Sequence, residues 1–375
     1  MGPMSADLPI SEGHVSFRGH RTWHRGAGHD ARPVFGGATS YPKIELHVHL
    51  EATVHPERLL EIARRNDVRP PARTVRGLRR FCAFRGFDEF IRVWIKTTGV
   101  LRHGRDFHEI VVDYAADLAA QGCVYAEALF SPSEPVGRGV TWQEVFEGYC
   151  DGADEARERL GVDLRFTPDI TRDFPVEIGE QLVGWALRYR DRGIVGISLG
   201  GSESRFPPEL FEHPFAIARE GGLKAAPHAG ETAGPESVRG ALDVLHAARL
   251  RHGVRAVEDP GLLAEIAARG VVCDVTPVSN LRTGVVRSLA EHPLPEMLAG
   301  GVRCSVGSDD PVLMDTSLTR DCDVAVGLGH TPRGMYEHAL SGVFCDAVTR
   351  ERLRAAGEAF DWTVAHGSPA PGGER

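Results

Sequence analysis

Four short stretches of the 375-residue chain hold side chains whose types and spacing suit metal-dependent chemistry. His47-Val48-His49 closes the apolar run IELHVHL at 44–50. Alternate residues of a strand share a face, so both imidazoles point the same way and can act as a metal-ligand pair. His228-Ala229-Gly230-Glu231 closes LKAAPHA, with a histidine and a carboxylate three residues apart. Ser308-Asp309-Asp310-Pro311 follows VRCSVGS and sets two acids side by side. Burying such a pair is costly unless a cation or a proton offsets it. The same Asp310-Pro311 step also reads as a helix N-cap. The fourth stretch is His252-Gly253, at the end of RLRHG.

The elements that must position these residues follow a regular rhythm. Strand candidates are 44–50, 124–130, 163–170, 194–199, 223–229, 249–253, 271–279 and 302–308. Helical patterns alternate with them, among them PERLLEIARRN, DFHEIVVDYAADLAAQG, TWQEVFEGYCDGADEARERLG and DPGLLAEIAARG. Repeated strand-then-helix argues for a parallel sheet, and eight such strands close into a (β/α)8 TIM-type barrel. The alternative, a doubly wound open sheet, lacks a GxGxxG turn in its dinucleotide-binding form. In a barrel the four stretches fall at the C-terminal ends of strands 1, 5, 6 and 8, where barrel enzymes place their chemistry.

Composition narrows the class further. Hydrophobic residues make up 42 % and charged residues 25 %, and the formal net charge is −9. That is a globular composition with no pull toward nucleic acid, and no apolar run reaches the roughly 20 residues a membrane helix needs. The seven cysteines include no CxxC pair, which argues against a disulfide framework and for a reducing, cytoplasmic setting. Residues 1–40 read as an irregular, poorly ordered extension without secretory-signal features, 41–366 as the catalytic domain and 367–375 as a disordered tail. The expected partner is a small-molecule substrate, with neither nucleic acid nor membrane; oligomeric state is left open.

The order HxH after PKIEL, then HAGE, RHG, PVSNLRTG and SDDP resembles the adenosine/adenine deaminase family of the amidohydrolase superfamily, over roughly residues 41–345. The resemblance implies a zinc-dependent hydrolytic deaminase of a 6-aminopurine nucleoside or base. His47, His49, His228 and Asp309 would bind one zinc ion, another divalent ion being an alternative. Glu231 would donate a proton to the purine ring, His252 would orient the attacking water, and Asp310 would hydrogen-bond N7. Gly201 would offer a backbone contact to N3. The chemistry agrees: a divalent ion on neutral nitrogens and one carboxylate activates water at neutral pH, and a protonated carboxylic acid beside the ring stabilises the adduct. The HxE and PCxxC signature of the cytidine-type deaminases is absent.

Departures from the family pattern bear on substrate. Glu51-Ala52 stands where adenosine deaminases often carry Asp-Gly for the ribose 5′-hydroxyl, and Glu there is typical of the adenine deaminase branch. Arg251 replaces an acid or Gly, and Thr276 replaces a Cys or other small residue before Pro277. The segments LGGSESRFPP and PHAGETAGP instead resemble bacterial nucleoside deaminases. Phe81, Phe84, Phe87 and Phe90 have the spacing of one buried helix face. By resemblance Phe81 and Phe84 belong to an apolar lid over the base. Hydrolysis of another C–N bond, on a secondary-metabolite heterocycle, is an alternative, as is a metal-free binding protein on the same fold. Gly196-Ile197-Ser198-Leu199-Gly200 also matches G-x-S-x-G, and SFRGHRTWHRGAGHD resembles the opening strands of proline iminopeptidase-type α/β-hydrolases. A serine hydrolase using Ser198 would need a helix directly after the turn, where Pro207 and Pro208 stand, and would leave the metal constellation unexplained.

Overall fold

A computed structural model describes residues 41–365. The expectations for residues 1–40 and for the tail 367–375 lie outside this range.

Eight barrel strands, all paired in parallel, account for the expected rhythm. In chain order they are β1 Lys43–Glu45, β2 Cys123–Ala128, β3 Asp163–Phe166 resuming at Asp169–Thr171, β4 Gly196–Gly200, β5 Lys224–Ala225 resuming at His228–Ala229, β6 Arg249–His252, β7 Val272–Val275 and β8 Arg303–Val306. Each pairs with the next in sequence, as in Ala126↔Leu164, Asp169↔Ser198, Gly196↔Lys224, His228↔Arg251 and Cys304↔Cys273. The ring closes where the chain beyond β1 meets the chain beyond β8. Val48 bridges Asp309, with His49 N–H donating to the Asp309 carbonyl at 2.8 Å and Asp309 N–H to the His47 carbonyl at 3.0 Å. The breaks in β3 and β5 fall at Pro168 and Pro227, which have no N–H for the ladder.

The helices form where apolar periodicity and caps coincide. Helix Trp142–Leu160 starts with a capping box between Thr141 and Glu144 and ends at Gly161, whose φ of 69° suits a left-handed C-cap. It packs closely on helix Gly104–Ala120. A Cβ on Gly152 would lie 2.8 Å from the His108 carbonyl oxygen, so the contact requires glycine. No helix among the described residues is long and apolar enough to cross a membrane.

Two expectations change in the structure. The run 271–279 is not strand throughout: β7 stops at Val275, and Pro277 opens helix Pro277–Arg282, since proline suits the first helical turn and not a central strand. Nor do the four phenylalanines share one helix. Helix Val75–Phe81 ends, and a second, Phe87–Thr98, begins after Gly86, whose φ is 81°. The rings still converge, Phe84 on Phe90 at 5.4 Å between centroids, through the turn between the helices.

The barrel interior below the mouth is unexpectedly polar. Arg249 donates to Glu127 at 2.7 Å and to Asp274 at 2.6 Å, with all three side chains fully buried. Arg251 donates to the Leu46 carbonyl and to Thr167 Oγ1, both at 2.6 Å. Arg249 thereby ties β6 to β2 and β7, and Arg251 ties it to the chain just beyond β1 and to Thr167 in the break of β3. Their charges have hydrogen-bonded partners, as buried charges need.

Candidate metal and catalytic site

The mouth of the barrel brings His47, His49, His228 and Asp309 together, with one ligand atom from each lying within 4.8 Å of the others. His47 Nδ1 donates to the Asp274 carbonyl at 3.0 Å, and His228 Nδ1 to the Leu199 carbonyl at 3.1 Å. The neutral form of each ring so bonded carries its lone pair on Nε2, and these two nitrogens face each other at 3.3 Å. His49 Nε2 lies 3.2 Å from His228 Nε2, and Asp309 Oδ1 lies 3.3 Å from His47 Nε2. Lone pairs converging without a proton between them repel unless a cation lies among them. Three imidazole nitrogens and one carboxylate form a donor set that a zinc-type ion fits.

The electrostatics favour the ligating forms. Burial, reinforced by the neighbouring imidazoles, holds His228 well below its ordinary value, and burial lowers His49 to about 3. For Asp309 burial alone would act upward, but His47 and the adjacent imidazoles hold its carboxyl well below the usual range. Asp309 and His252 both adopt φ of 61°, a left-handed conformation that non-glycine residues seldom take. This backbone turns both side chains back over the mouth.

The remaining expected site residues surround this cluster. Glu231 Oε2 is 3.5 Å from His252 Nε2. Burial, then Asp309 and Glu203, hold its carboxyl well above the usual range. Asp310 occupies the N-cap position of helix Pro311–Met314, but its side chain makes no capping bond, so the cap reading of this residue is not the one realised. Its buried Oδ1 has no hydrogen-bond partner, and burial beside Asp309 and Glu231 raises its carboxyl strongly. Gly201 follows β4 with φ of 93°, and a Cβ there would lie 2.5 Å from Asp173 Oδ2. Glu51 is buried; its Oε1 accepts from Ser131 N–H at 2.7 Å and Tyr149 OH at 2.9 Å, while Oε2 is unpaired. Phe81 and Phe84 pack with Phe90, Trp94, Ala52, Leu313 and Met314, joining the chain after β1 to the chain after β8.

Two sequence signals are placed elsewhere. Ser198 lies within β4, fully buried, its Oγ between His228 Nδ1 at 3.4 Å and Arg251 Nε at 3.3 Å. A nucleophile elbow would present it on an exposed turn into a helix, and neither is present here. Arg251 points into the barrel beneath the metal ligands, so its departure from the family pattern does not put it against a ligand at the mouth.

Several contributors were not singled out from sequence. Glu203 accepts from the backbone N–H of Gly230 (2.5 Å), Thr232 (2.7 Å) and Ala233 (3.0 Å) and from Ser237 Oγ (2.6 Å), so one carboxylate holds the loop that carries Glu231. Arg172 Nη2 donates to the His228 carbonyl at 2.7 Å. Thr276, by contrast, was singled out as a departure from the family pattern, and its Oγ1 lies between His252 Nδ1 (3.2 Å) and Asp309 Oδ2 (3.4 Å). Glu134, just after β2, keeps Oε2 buried and unpaired. No periodicity or motif spacing marks Glu203, Arg172 or Glu134.

Comparison with known proteins agrees with this geometry. The adenosine deaminase family profile matches residues 42–356. An aminodeoxyfutalosine deaminase of Acidothermus cellulolyticus is 45 % identical, over 89 % of this chain and 96 % of its own. An adenine deaminase of Sphingopyxis alaskensis is 38 % identical, over 76 % of this chain and 83 % of its own. A crystal structure of an amidohydrolase from Burkholderia ambifaria with bound Zn superposes with a TM-score of 0.79 at 25 % identity, covering 85 % of this chain and 90 % of that one.

Proposed function

This chain belongs to the adenosine deaminase family of the amidohydrolase superfamily, and from that premise we propose that it hydrolyses the exocyclic amine of a 6-aminopurine, with one zinc ion, releasing ammonia. The observation that carries this reading is the convergence of three imidazole nitrogens and Asp309 beside a buried carboxyl, Glu231, whose pKa burial and its acidic neighbours raise. His47, His49, His228 and Asp309 would hold the ion, which when bound lowers the pKa of water toward neutrality and so supplies the nucleophile.

The chain's own residues do the rest. Glu231, whose carboxyl burial and its acidic neighbours hold well above the usual range, donates its proton to the ring nitrogen adjacent to the carbon under attack, where negative charge develops. Asp310, whose carboxyl burial and its acidic neighbours likewise raise, donates a hydrogen bond to N7, an acceptor. The Gly201 backbone contacts N3. The phenylalanine cluster closes over the base and excludes water, which strengthens each of these interactions.

The substrate follows from the orientation this sets. With N1 toward Glu231 after β5, N7 toward Asp310 after β8 and N3 toward Gly201 after β4, the N9 edge faces the ends of β1 to β3. Glu51 and Glu134 stand there, each with a buried oxygen that has no partner. A hydroxylated substituent on N9 would satisfy both oxygens, whereas free adenine would leave both unmatched, at about 1–3 kcal/mol each. We therefore read the substrate as an N9-substituted 6-aminopurine. The compound named for the 45 % identical relative is the first to test.

An ammonia-release assay of metal-loaded protein over adenine, adenosine, 5′-modified adenosines and aminodeoxyfutalosine tests this reading. Glu231→Gln should keep about one equivalent of metal and lose at least about a hundredfold in kcat, since an amide cannot donate the proton. Full activity in that variant would remove Glu231 from its role. An adenine preference over every N9-substituted purine would overturn the substrate reading alone.

A further inference from the structure

His252 has two ring nitrogens, and a chain of hydrogen bonds decides which carries the proton. The chain starts at a group whose direction is fixed. The backbone N–H of Leu294 can only donate, and it points to His292 Nδ1 at 3.0 Å. His292 Nδ1 is therefore the acceptor, and the proton of this ring sits on Nε2; burial lowers the His292 pKa to about 4, so the ring is neutral. His292 Nε2 lies 3.1 Å from Asn280 Oδ1 and donates to it. That orients the amide: Oδ1 faces His292, and Nδ2 faces His252 Nδ1 at 3.2 Å. An amide nitrogen only donates, so His252 Nδ1 accepts. The His252 proton is then on Nε2, the nitrogen facing Glu231 Oε2 at 3.5 Å and Asp309 Oδ2 at 3.9 Å. Asn280 and His292 are both buried, at 0 % and 3 % exposure, so water does not compete for these bonds. The Thr276 hydroxyl, 3.2 Å from the same Nδ1, can donate to it or to Asp309 and needs no proton from the ring.

We propose that Asn280 and His292 are positioning residues that lock His252 in its Nε2–H tautomer, making it a hydrogen-bond donor at the reaction centre and not the base that takes a proton from water. The inference about mechanism rests on the deaminase reading above; the tautomer itself does not. An Nε2–H aimed at the mouth can hold a lone pair of the attacking water and stabilise the charge that builds on it. It cannot accept a proton there without giving up the hydrogen-bond chain behind it.

Direct observation of the tautomer is the primary test. Full-length, zinc-loaded protein labelled with 15N-histidine should show His252, assigned by its loss in His252→Gln, with the nitrogen shifts of an Nε2–H imidazole; an Nδ1–H signature overturns the proposal. Substitutions at two positions then connect tautomer to rate. In Asn280→Asp a carboxylate, which only accepts, replaces the donor, and His252 should switch to Nδ1–H. That should cost kcat about a hundredfold or more while KM and metal content stay within about threefold. His292→Gln keeps a donor for Asn280 Oδ1 and should retain most turnover, whereas His292→Phe should lose about tenfold. Equal losses in the two His292 variants, or an unchanged kcat in Asn280→Asp, would reject the positioning role. If no 6-aminopurine is deaminated, the functional reading fails, and the NMR result still decides the tautomer.

Discussion

His228 has little freedom. Its Nδ1 is bound to the Leu199 carbonyl, and its own carbonyl is gripped by Arg172 at 2.7 Å. A ligand fixed this way loses little entropy when a metal arrives, so removing it should cost the ion itself. His228→Ala and Asp309→Ala are each expected to bring metal from about one equivalent to well below half, as read by elemental analysis of protein purified without added metal. Full occupancy in Asp309→Ala would mean that a different carboxylate is the ligand. Ser198→Ala should lose less than about tenfold in turnover and remain sensitive to chelators, the opposite of a serine hydrolase. At this scale the pairing of His47 and His49 on one face was legible in their alternate spacing, whereas grouping His228 and Asp309 with them came from the family resemblance. Glu203, Asn280 and His292 were not legible, because their roles depend on how the segments beyond the strands fold back over the mouth, which no periodicity records.

Among the elements, the loop after β5 carries the proposed proton donor and is held by a side chain from the loop after β4. Glu203 accepts from four backbone N–H groups in succession, from Gly230 to Ala233. Glu203→Gln keeps the shape but cannot satisfy that row of donors with a single carbonyl oxygen. Its kcat should fall by about tenfold or more with metal retained, and hydrogen exchange across 230–233 should quicken. Unchanged exchange there would mean the clamp is dispensable. The helix pair 104–120 and 142–160 offers a simpler test: Gly152→Ala pushes a methyl against the His108 carbonyl and should lower stability by about 1–3 kcal/mol in denaturant melts. Helices with strong caps were readable to within a residue or two, Trp142–Leu160 being one. The run 271–279 was not, since Val-Val-Cys-Asp-Val-Thr-Pro-Val-Ser is apolar on both sides of the point where Pro277 turns the chain into a helix.

Over the whole molecule, buried acids set a pH dependence. Burial raises Glu134 from 4.5 to about 8 and Asp321 from 3.8 to about 7. Between the unfolded and folded values the native state holds more protons than the unfolded chain. These two groups therefore make stability fall as pH rises through roughly 4 to 8. Thermal melts at pH 5 and pH 8 should show the higher Tm at pH 5, and Asp321→Asn should narrow the gap. A gap unaffected by that substitution would place the dependence on other groups.

The seam of the barrel has a consequence for how the protein is made. Glu45 accepts from the Ser308 N–H at 2.9 Å across a separation of 263 residues, and the two histidines just beyond the first strand and Asp309 meet at this same joint. During synthesis the N-terminal histidines emerge long before their carboxylate partner exists. An ion captured early by His47 and His49 would be held by two ligands only and exchange freely, so the choice of metal is made after the last strand docks. An ion bound there would act as a rivet between the two ends of the sheet. Loss of the ion should loosen the barrel first at its closure, between residues 47–49 and 307–310, and leave the opposite wall intact.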